Sequence, residues 1–301
     1  MLSTRVTQWT MSDIRAADDV AHFTDVDGAR DSGFFVEFMD AGNALPDVVR
    51  LKRQVIELLS LHPGDRVLDV GCGTGDDARE LARVVGDRGQ VCGVDVSAAM
   101  IDVAVARSQE SGIASDFQTA DAFALPFADA SFDACRCERV LMHLDRDPTD
   151  AVTEMARVTR PGGRIVLSDF DWDAALIDHP DKHATRTIIQ TVSDGIRHGQ
   201  IGRQLGRLLH ESGLTDITVE SRGIQLPYDF LHKLLDGHLR SAQDQHKLDA
   251  GLVEEWWRSL ERANDRHQFL AIWTAVLAAG TIPSEDTATR ASPPNAKDSQ
   301  P

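Results

Sequence analysis

The chain has 301 residues, 42% hydrophobic and 26% charged, enough apolar content to bury a core in one large domain or two small ones. Its 48 acidic against 31 basic side chains leave a formal charge of −17, a field that repels phosphate backbones and argues against DNA or RNA as substrate. No run approaches the length of apolar residues a membrane helix needs and no apolar signal segment opens the chain, so neither a membrane span nor secretion is expected and the expected location is cytoplasmic.

In chain order, residues 1–45 set acidic clusters around Phe34, Phe35, Phe38 and Met39. The run from Ser32 to Met39 has near-helical apolar spacing. It reads equally as a cap closing over a ligand or as an amphipathic helix packed on the core. Pro46 then opens an amphipathic helix marked by Val48, Val49, Leu51, Val55, Ile56, Leu58 and Leu59. His62-Pro63-Gly64-Asp65 breaks it. Val67, Leu68 and Val70 follow as a short apolar run, a buried parallel strand, which ends in Gly71, Gly73 and Gly75. Glycine there lets the turn reach positive φ and brings backbone close to a ligand. Asp76 and Asp77 open the next helix, whose apolar face holds Leu81, Val84 and Val85. A dinucleotide fingerprint has G-x-G-x-x-G spacing and seats a pyrophosphate on the helix N-terminus. Here the spacing is G-x-G-x-G, and Asp69 just before it suits a cationic ligand instead.

Gly89 to Val96 reads as a second strand with Asp95 at its carboxyl end, where an acidic side chain can accept both hydroxyl hydrogens of a ribose. Ser97 is placed to cap the following helix, which carries Met100, Ile101, Val103 and Val105. A third strand, Phe117 to Thr119, leads to Asp121-Ala122. A fourth runs from Phe132 to Cys137, a helix covers Asp150 to Val158, and a fifth strand runs from Ile165 to Ser168. Cys72, Cys92, Cys135 and Cys137 lack C-x-x-C spacing and read as small core residues in a reducing compartment.

The stretch Asp69-Val70-Gly71-Cys72-Gly73-Thr74-Gly75 resembles motif I of class I S-adenosylmethionine-dependent methyltransferases. Leu125-Pro126-Phe127-Ala128-Asp129-Ala130-Ser131-Phe132-Asp133 and Arg139-Val140-Leu141-Met142-His143-Leu144 are similar to elements of the small-molecule group that includes the ubiquinone- and menaquinone-biosynthesis methyltransferases. The resemblance spans about residues 65–170 in five ordered motifs. It implies S-adenosyl-L-methionine as cofactor, with Asp69, Gly71, Cys72, Gly73 and Gly75 at the glycine turn. Asp95 would serve the ribose, Asp121 and Ala122 the adenine, and Glu138 and Arg139 the methionine end, with Val96 and Met100 also at the cofactor.

Past the fifth strand, Asp169, Asp171 and Asp173 alternate with Phe170 and Trp172. A base for a hydroxyl acceptor is expected at Asp169, facing the substrate, with His143 second. His179 and His183 read as a helix start; no metal is expected. Residues 184–198 and 228–266 read as helical, Ile217 to Ile224 and Phe269 to Ala279 as strands, and the end of the chain as a disordered tail.

The fold expected is α/β, a seven-stranded doubly wound Rossmann-like methyltransferase sheet with helical cap insertions. Residues 1–45 would form an N-terminal cap, 46–283 the methyltransferase domain with lids at about 171–200 and 227–266, and 284–301 the tail. The partner expected is a small-molecule acceptor methylated at O, N or C; the oligomeric state stays open, a homodimer being one option. Two alternatives remain. One is a cyclase or non-methylating cofactor-binding protein on the same fold. The other is an NAD(P)-dependent oxidoreductase, disfavoured by the glycine spacing and because the single tyrosine, Tyr228, has no lysine four residues on.

Overall fold

A computed structural model describes residues 26–28 and 32–284. The expectations for residues 1–25 and for the tail from 285 lie outside them.

Helix α1 (Ser32–Asn43) and helix α2 (Pro46–Leu59) precede the sheet. Proline at the first helical position of α2 has its φ preset and loses no hydrogen bond there, and Val48, Leu51, Val55 and Leu59 bury one stripe. Then come β1 (Arg66–Val70), α3 (Asp76–Val85), β2 (Gln90–Asp95), α4 (Ala98–Ser111) and β3 (Asp116–Thr119). They are followed by β4 (Phe132–Glu138), a 3-10 turn at Leu141–His143, α5 (Pro148–Val158) and β5 (Thr159–Ile177). After α6 (Lys182–Gly195) and α7 (Leu205–Glu211) come β6 (Thr215–Gln225), α8 (Tyr228–Asp244), α9 (Ala250–Asp265) and β7 (Ala271–Thr281).

The strands form one sheet in the order β3-β2-β1-β4-β5-β7-β6, with β7 antiparallel to both neighbours. β1, β2 and β4 run almost continuously buried at their centres, the pattern of parallel strands covered by helices on both faces, while the edge strand β3 is only partly covered. The order reverses between β1 and β4. That switch point opens a crevice at the carboxyl ends of the strands, where open α/β sheets bind ligands. Among the described residues no helix is long and apolar enough to cross a membrane.

The fifth strand corrects the sequence reading. It does not end at Ser168 but pairs with β7 as far as Ile177↔Ala271, with an irregularity between Asp171 and Ala175. The carboxylates that looked like a strand end are neutralised from outside: Arg203 reaches both oxygens of Asp171 at 2.5 and 2.6 Å and Asp173 at 3.3 Å. Residues 171–177 therefore belong to the sheet, and the helical insertion begins after them.

Candidate active site

The turn from β1 into α3 holds Gly71, Gly73 and Gly75 at φ 72°, 51° and 72°. A side chain at Gly71 would collide with Val140 and one at Gly73 with the end of Met39, so the turn is a shallow cradle only glycine keeps open. Gly75 serves the fold, since its Cβ would strike Phe117 and Ala104 behind the turn. A cavity of about 1060 Å³ opens above this cradle. That is at the top of the range for ligand pockets, roughly 300–1,000 Å³, and leaves room for a cofactor and a second molecule.

One side of the cavity is built by the ends of β1, β2 and β3. Asp95 lines it, with its carboxylate accepting the N–H of Gly73 and of Ser97, each at 2.9 Å. Burial raises its pKa against those hydrogen bonds. Val96 beside it is 72% exposed, an apolar side chain left uncovered at the cavity edge. Ser97 caps α4 as read from the sequence, accepting from Met100 N–H. Asp27 adds to that cap, accepting from the Ser97 hydroxyl and from Ala98 and Ala99 N–H. Met100 is buried against Val26 and Phe35 and also borders the cavity. Asp121 and Ala122 lie on the same side; Asp121 receives Arg146 at 2.8 Å and its own loop's Phe123 N–H at 2.9 Å.

The floor is ionic. Arg136, 3% exposed in the middle of β4, donates to Asp69 at 2.9 Å and to Glu138 at 2.5 Å, and stands 3.1 Å from Asp77. Lys52 bonds Asp77 and lies 3.5 Å from Glu138, and Arg139 lies 3.2 Å from Glu138. Three carboxylates thus meet three cations, the condition under which buried charges are tolerated. Burial pushes the Asp69 pKa up to about 6 against the pull of Arg136. Burial acts the same way on Asp77, but Arg136 and Lys52 outweigh it and hold that carboxyl below the usual range. Arg139 sits at φ 58°, a reversal that turns the chain from β4 into the 3-10 turn, and donates to Asn43 of α1 at 2.7 Å. Asn43 also donates to Asp76 at 3.2 Å, so α1 is tied down beside the cradle.

The cavity gathers most of the residues singled out in the sequence: Gly71, Cys72, Gly73, Asp95, Val96, Met100, Asp121, Ala122, Glu138, Arg139 and His143. Three stand elsewhere. Asp69 is fully buried beneath the floor against Arg136, and Gly75 lies behind the turn. Asp169, expected to face the substrate, is 1% exposed and accepts the N–H of Phe170 at 2.9 Å and of Met142 at 3.3 Å. Side chains alternate along a strand, so it is Phe170 and Trp172 that reach the cavity. Asp169 instead holds the turn that carries His143, and desolvation raises its pKa to about 7. His143 itself is half-buried at the cavity wall; desolvation, then His238 and Arg139, bring its pKa down to about 4.

Lys52, Asp77 and Arg136 line the cavity but were not picked out. The one sequence signal was a charged residue inside an apolar strand, Cys135-Arg136-Cys137. The cap contributes further residues: Phe38 of α1 stacks on Phe230 of α8 with ring centres 5.0 Å apart, and His238 of α8 packs 5.7 Å from Trp172. Among the described residues, no group of three or more His, Cys, Asp or Glu side chains is arranged to hold a metal ion.

Sheet order, glycine cradle and acidic strand ends define a class I methyltransferase site. A profile of the methyltransferase-domain family matches residues 61–213, and the chain belongs to that family, the class I S-adenosylmethionine-dependent methyltransferases. It is 41% identical over 178 residues to an uncharacterized 37.1 kDa protein in transposon Tn4556 of Streptomyces fradiae, covering 58% of this chain and 51% of that protein. It is 42% identical over 121 residues to 2-phytyl-1,4-naphtoquinone methyltransferase of Synechococcus elongatus, covering 40% of this chain and 52% of that one. The alignments thus span about half the length of these curated relatives. The YcgJ protein of Bacillus subtilis shares the fold, with a TM-score of 0.55 at 21% identity over 77% of this chain and 98% of that one.

Proposed function

We propose that the protein transfers a methyl group from S-adenosylmethionine to an O, N or C atom of a small-molecule acceptor. The observation that carries this reading is the single cavity of about 1060 Å³ that joins the glycine cradle to a space walled by α1, α6 and α8. Its size and its covered far side suit a cofactor and a small acceptor together, and do not suit the open face a macromolecular substrate needs.

The residues present fit the cofactor. On this reading Gly71 and Gly73 let backbone approach it, and Asp95, Asp121 and Ala122, which line the same cavity, would accept the ribose hydroxyls and bond the adenine edge. Glu138 and Arg139 offer an anion and a cation to the two charged groups of an amino-acid end. When bound, S-adenosylmethionine supplies a methyl group already activated by a sulfonium. What remains for the chain is to hold the acceptor atom in line, to exclude water, and to take a proton where the acceptor must lose one. Phe170 and Trp172 exclude water, and the 3-10 turn positions His143, itself braced by Asp169. Incubating the full chain with S-adenosylmethionine and a panel of small acceptors, with S-adenosylhomocysteine followed by mass spectrometry, tests the reading. Formation that depends on an acceptor is the expected result. Binding of the cofactor without turnover across a broad panel would favour a non-methylating role.

A further inference from the structure

β6 is an edge of the sheet. Among the described residues it pairs with β7 alone, so the main-chain N–H and C=O groups along its other side have no strand partner there. Such an edge is a template for another strand, and chains that must stay single blunt it with a proline, a bulge or a very short strand. β6 does little of this. Its register shifts only between Thr215 and Thr218, and it then pairs residue by residue from Thr218 to Gln225 with no proline in the run. Val219, Ser221, Arg222 and Gly223 stand exposed along it.

The side chains of this run are complementary to themselves. In an antiparallel pair of two copies related by a two-fold axis, residue i faces residue j and j faces i. With the axis at Ser221, Glu220 of each copy lies opposite Arg222 of the other, and Val219 lies opposite Gly223. Glu220 and Arg222 already bond within one chain at 2.7 Å, so the pairing closes a ring of two carboxylates and two guanidiniums. On the other face Val219 is 56% exposed. Gly223 presents no side chain there, and a Cβ added to it would stand 2.9 Å from Ile272 Cγ2 of β7. The valine of one copy thus meets bare backbone and an isoleucine methyl on the other. An axis at Glu220 or Arg222 would oppose like charges, which is unfavourable. An axis at Val219 would set Arg222 against Asp216, which stands at φ 50° outside the regular ladder, and leave Glu220 against Thr218.

We infer that β6 is a self-association surface: two copies of the chain join antiparallel through it, centred on Ser221, into one continuous sheet. The inference does not depend on the methyl-transfer reading. Main-chain hydrogen bonds and the two valines supply the attraction. The charges set the register, because exposed ion pairs add little strength whereas opposed like charges are penalised. Each copy carries a formal charge of −17, so the contact forms against long-range repulsion and is weak at low salt.

The test uses the full chain. Sedimentation velocity in about 0.15 M salt, where the screening length is about 8 Å, should show a monomer–dimer equilibrium. The series must reach about 0.1 mM protein, because contacts below about 1,200 Å² associate weakly. Glu220→Arg should weaken the dimer at least about tenfold, and the swap Glu220→Arg/Arg222→Glu should restore it. Ser221→Cys gives the direct check, since the four native cysteines are buried. Opposed residues have Cα atoms about 4.5–5.5 Å apart, within disulfide reach, so mild oxidation should give a covalent dimer. Thr218→Cys should not crosslink, because it would face Ile224 and lie about 20 Å from its own copy at roughly 3.4 Å per residue. A chain monomeric throughout the series overturns the inference. So does a dimer that Glu220→Arg leaves intact, that the charge swap fails to restore at an unchanged melting temperature, or that Ser221→Cys fails to lock. If the introduced thiol resists both oxidation and maleimide, another part of the same chain covers the edge, and the inference fails there too.

Discussion

Asp69 of β1 and Arg136 of β4 stand opposite one another in parallel register, with Nη1 of the arginine 2.9 Å from Oδ1 of the aspartate. The pair anchors the cavity floor from below, and Arg136 passes the connection on to Asp77 and Glu138. Removing one partner of such a buried set leaves uncompensated charge behind. Arg136→Met should therefore lower unfolding free energy by about 3–5 kcal/mol. Urea unfolding checks it, and a loss under about 1 kcal/mol would show that the floor relaxes or hydrates instead.

Asp169 gives a pH signature. Its folded pKa, about 7, lies above the usual 3.8, so the folded state holds the proton more tightly than the unfolded one. Its contribution is then complete below about pH 4 and is lost as pH rises to about 7, with a slope of up to ~1.4 kcal/mol per pH unit. Comparing wild type with Asp169→Asn by urea unfolding at pH 4, 5, 6 and 7 should show the wild type losing ground steadily. A difference that is flat in pH would mean the carboxylate is ionised throughout.

The succession of strands and helices along the chain was legible because it depends on local pattern, while the arrangement of the sheet was implied only by the family resemblance. Glycine spacing marks the cradle, and an acidic residue at a strand end marks Asp95. Asp169 was misplaced because the strand was read as ending there; once β5 continues, alternation turns Phe170 and Trp172 toward the cavity and Asp169 away from it. The floor escaped for a different reason. Arg136 was visible as a charge within an apolar strand, but its partners on β1 and α3, and the Lys52 of α2 that shares its carboxylates, are chosen by tertiary packing. His238 escaped too, since one histidine on an amphipathic helix carries no sign of which cavity it borders.

Glycines 71 and 73 should respond differently to alanine. Both sit in left-handed backbone, which costs an alanine roughly 1–2 kcal/mol. At Gly71 the new methyl also meets Val140, β-branched and stiff, whereas at Gly73 it meets the mobile end of Met39. Gly71→Ala should thus be the more destabilising in thermal unfolding. The reverse order would mean that Val140 and its turn yield more readily than α1.

Asp95 lies at the cavity edge with two backbone donors already on its carboxylate. Asp95→Ala removes both the proposed ribose contacts and the brace between Gly73 and Ser97. Hydrogen bonds to a charged group contribute about 1.5–3 kcal/mol each, so S-adenosylhomocysteine affinity should fall at least about tenfold in calorimetry. An unchanged dissociation constant would remove Asp95 from the ribose site.

The most direct measurement is calorimetric titration of the full chain with S-adenosylmethionine, S-adenosylhomocysteine and NAD in parallel. The cradle with G-x-G-x-G spacing, Asp95 and the charged floor should bind the first two at one site per chain and leave NAD without measurable heat. Saturable binding of NAD tighter than that of either sulfur compound would contradict the account at its centre.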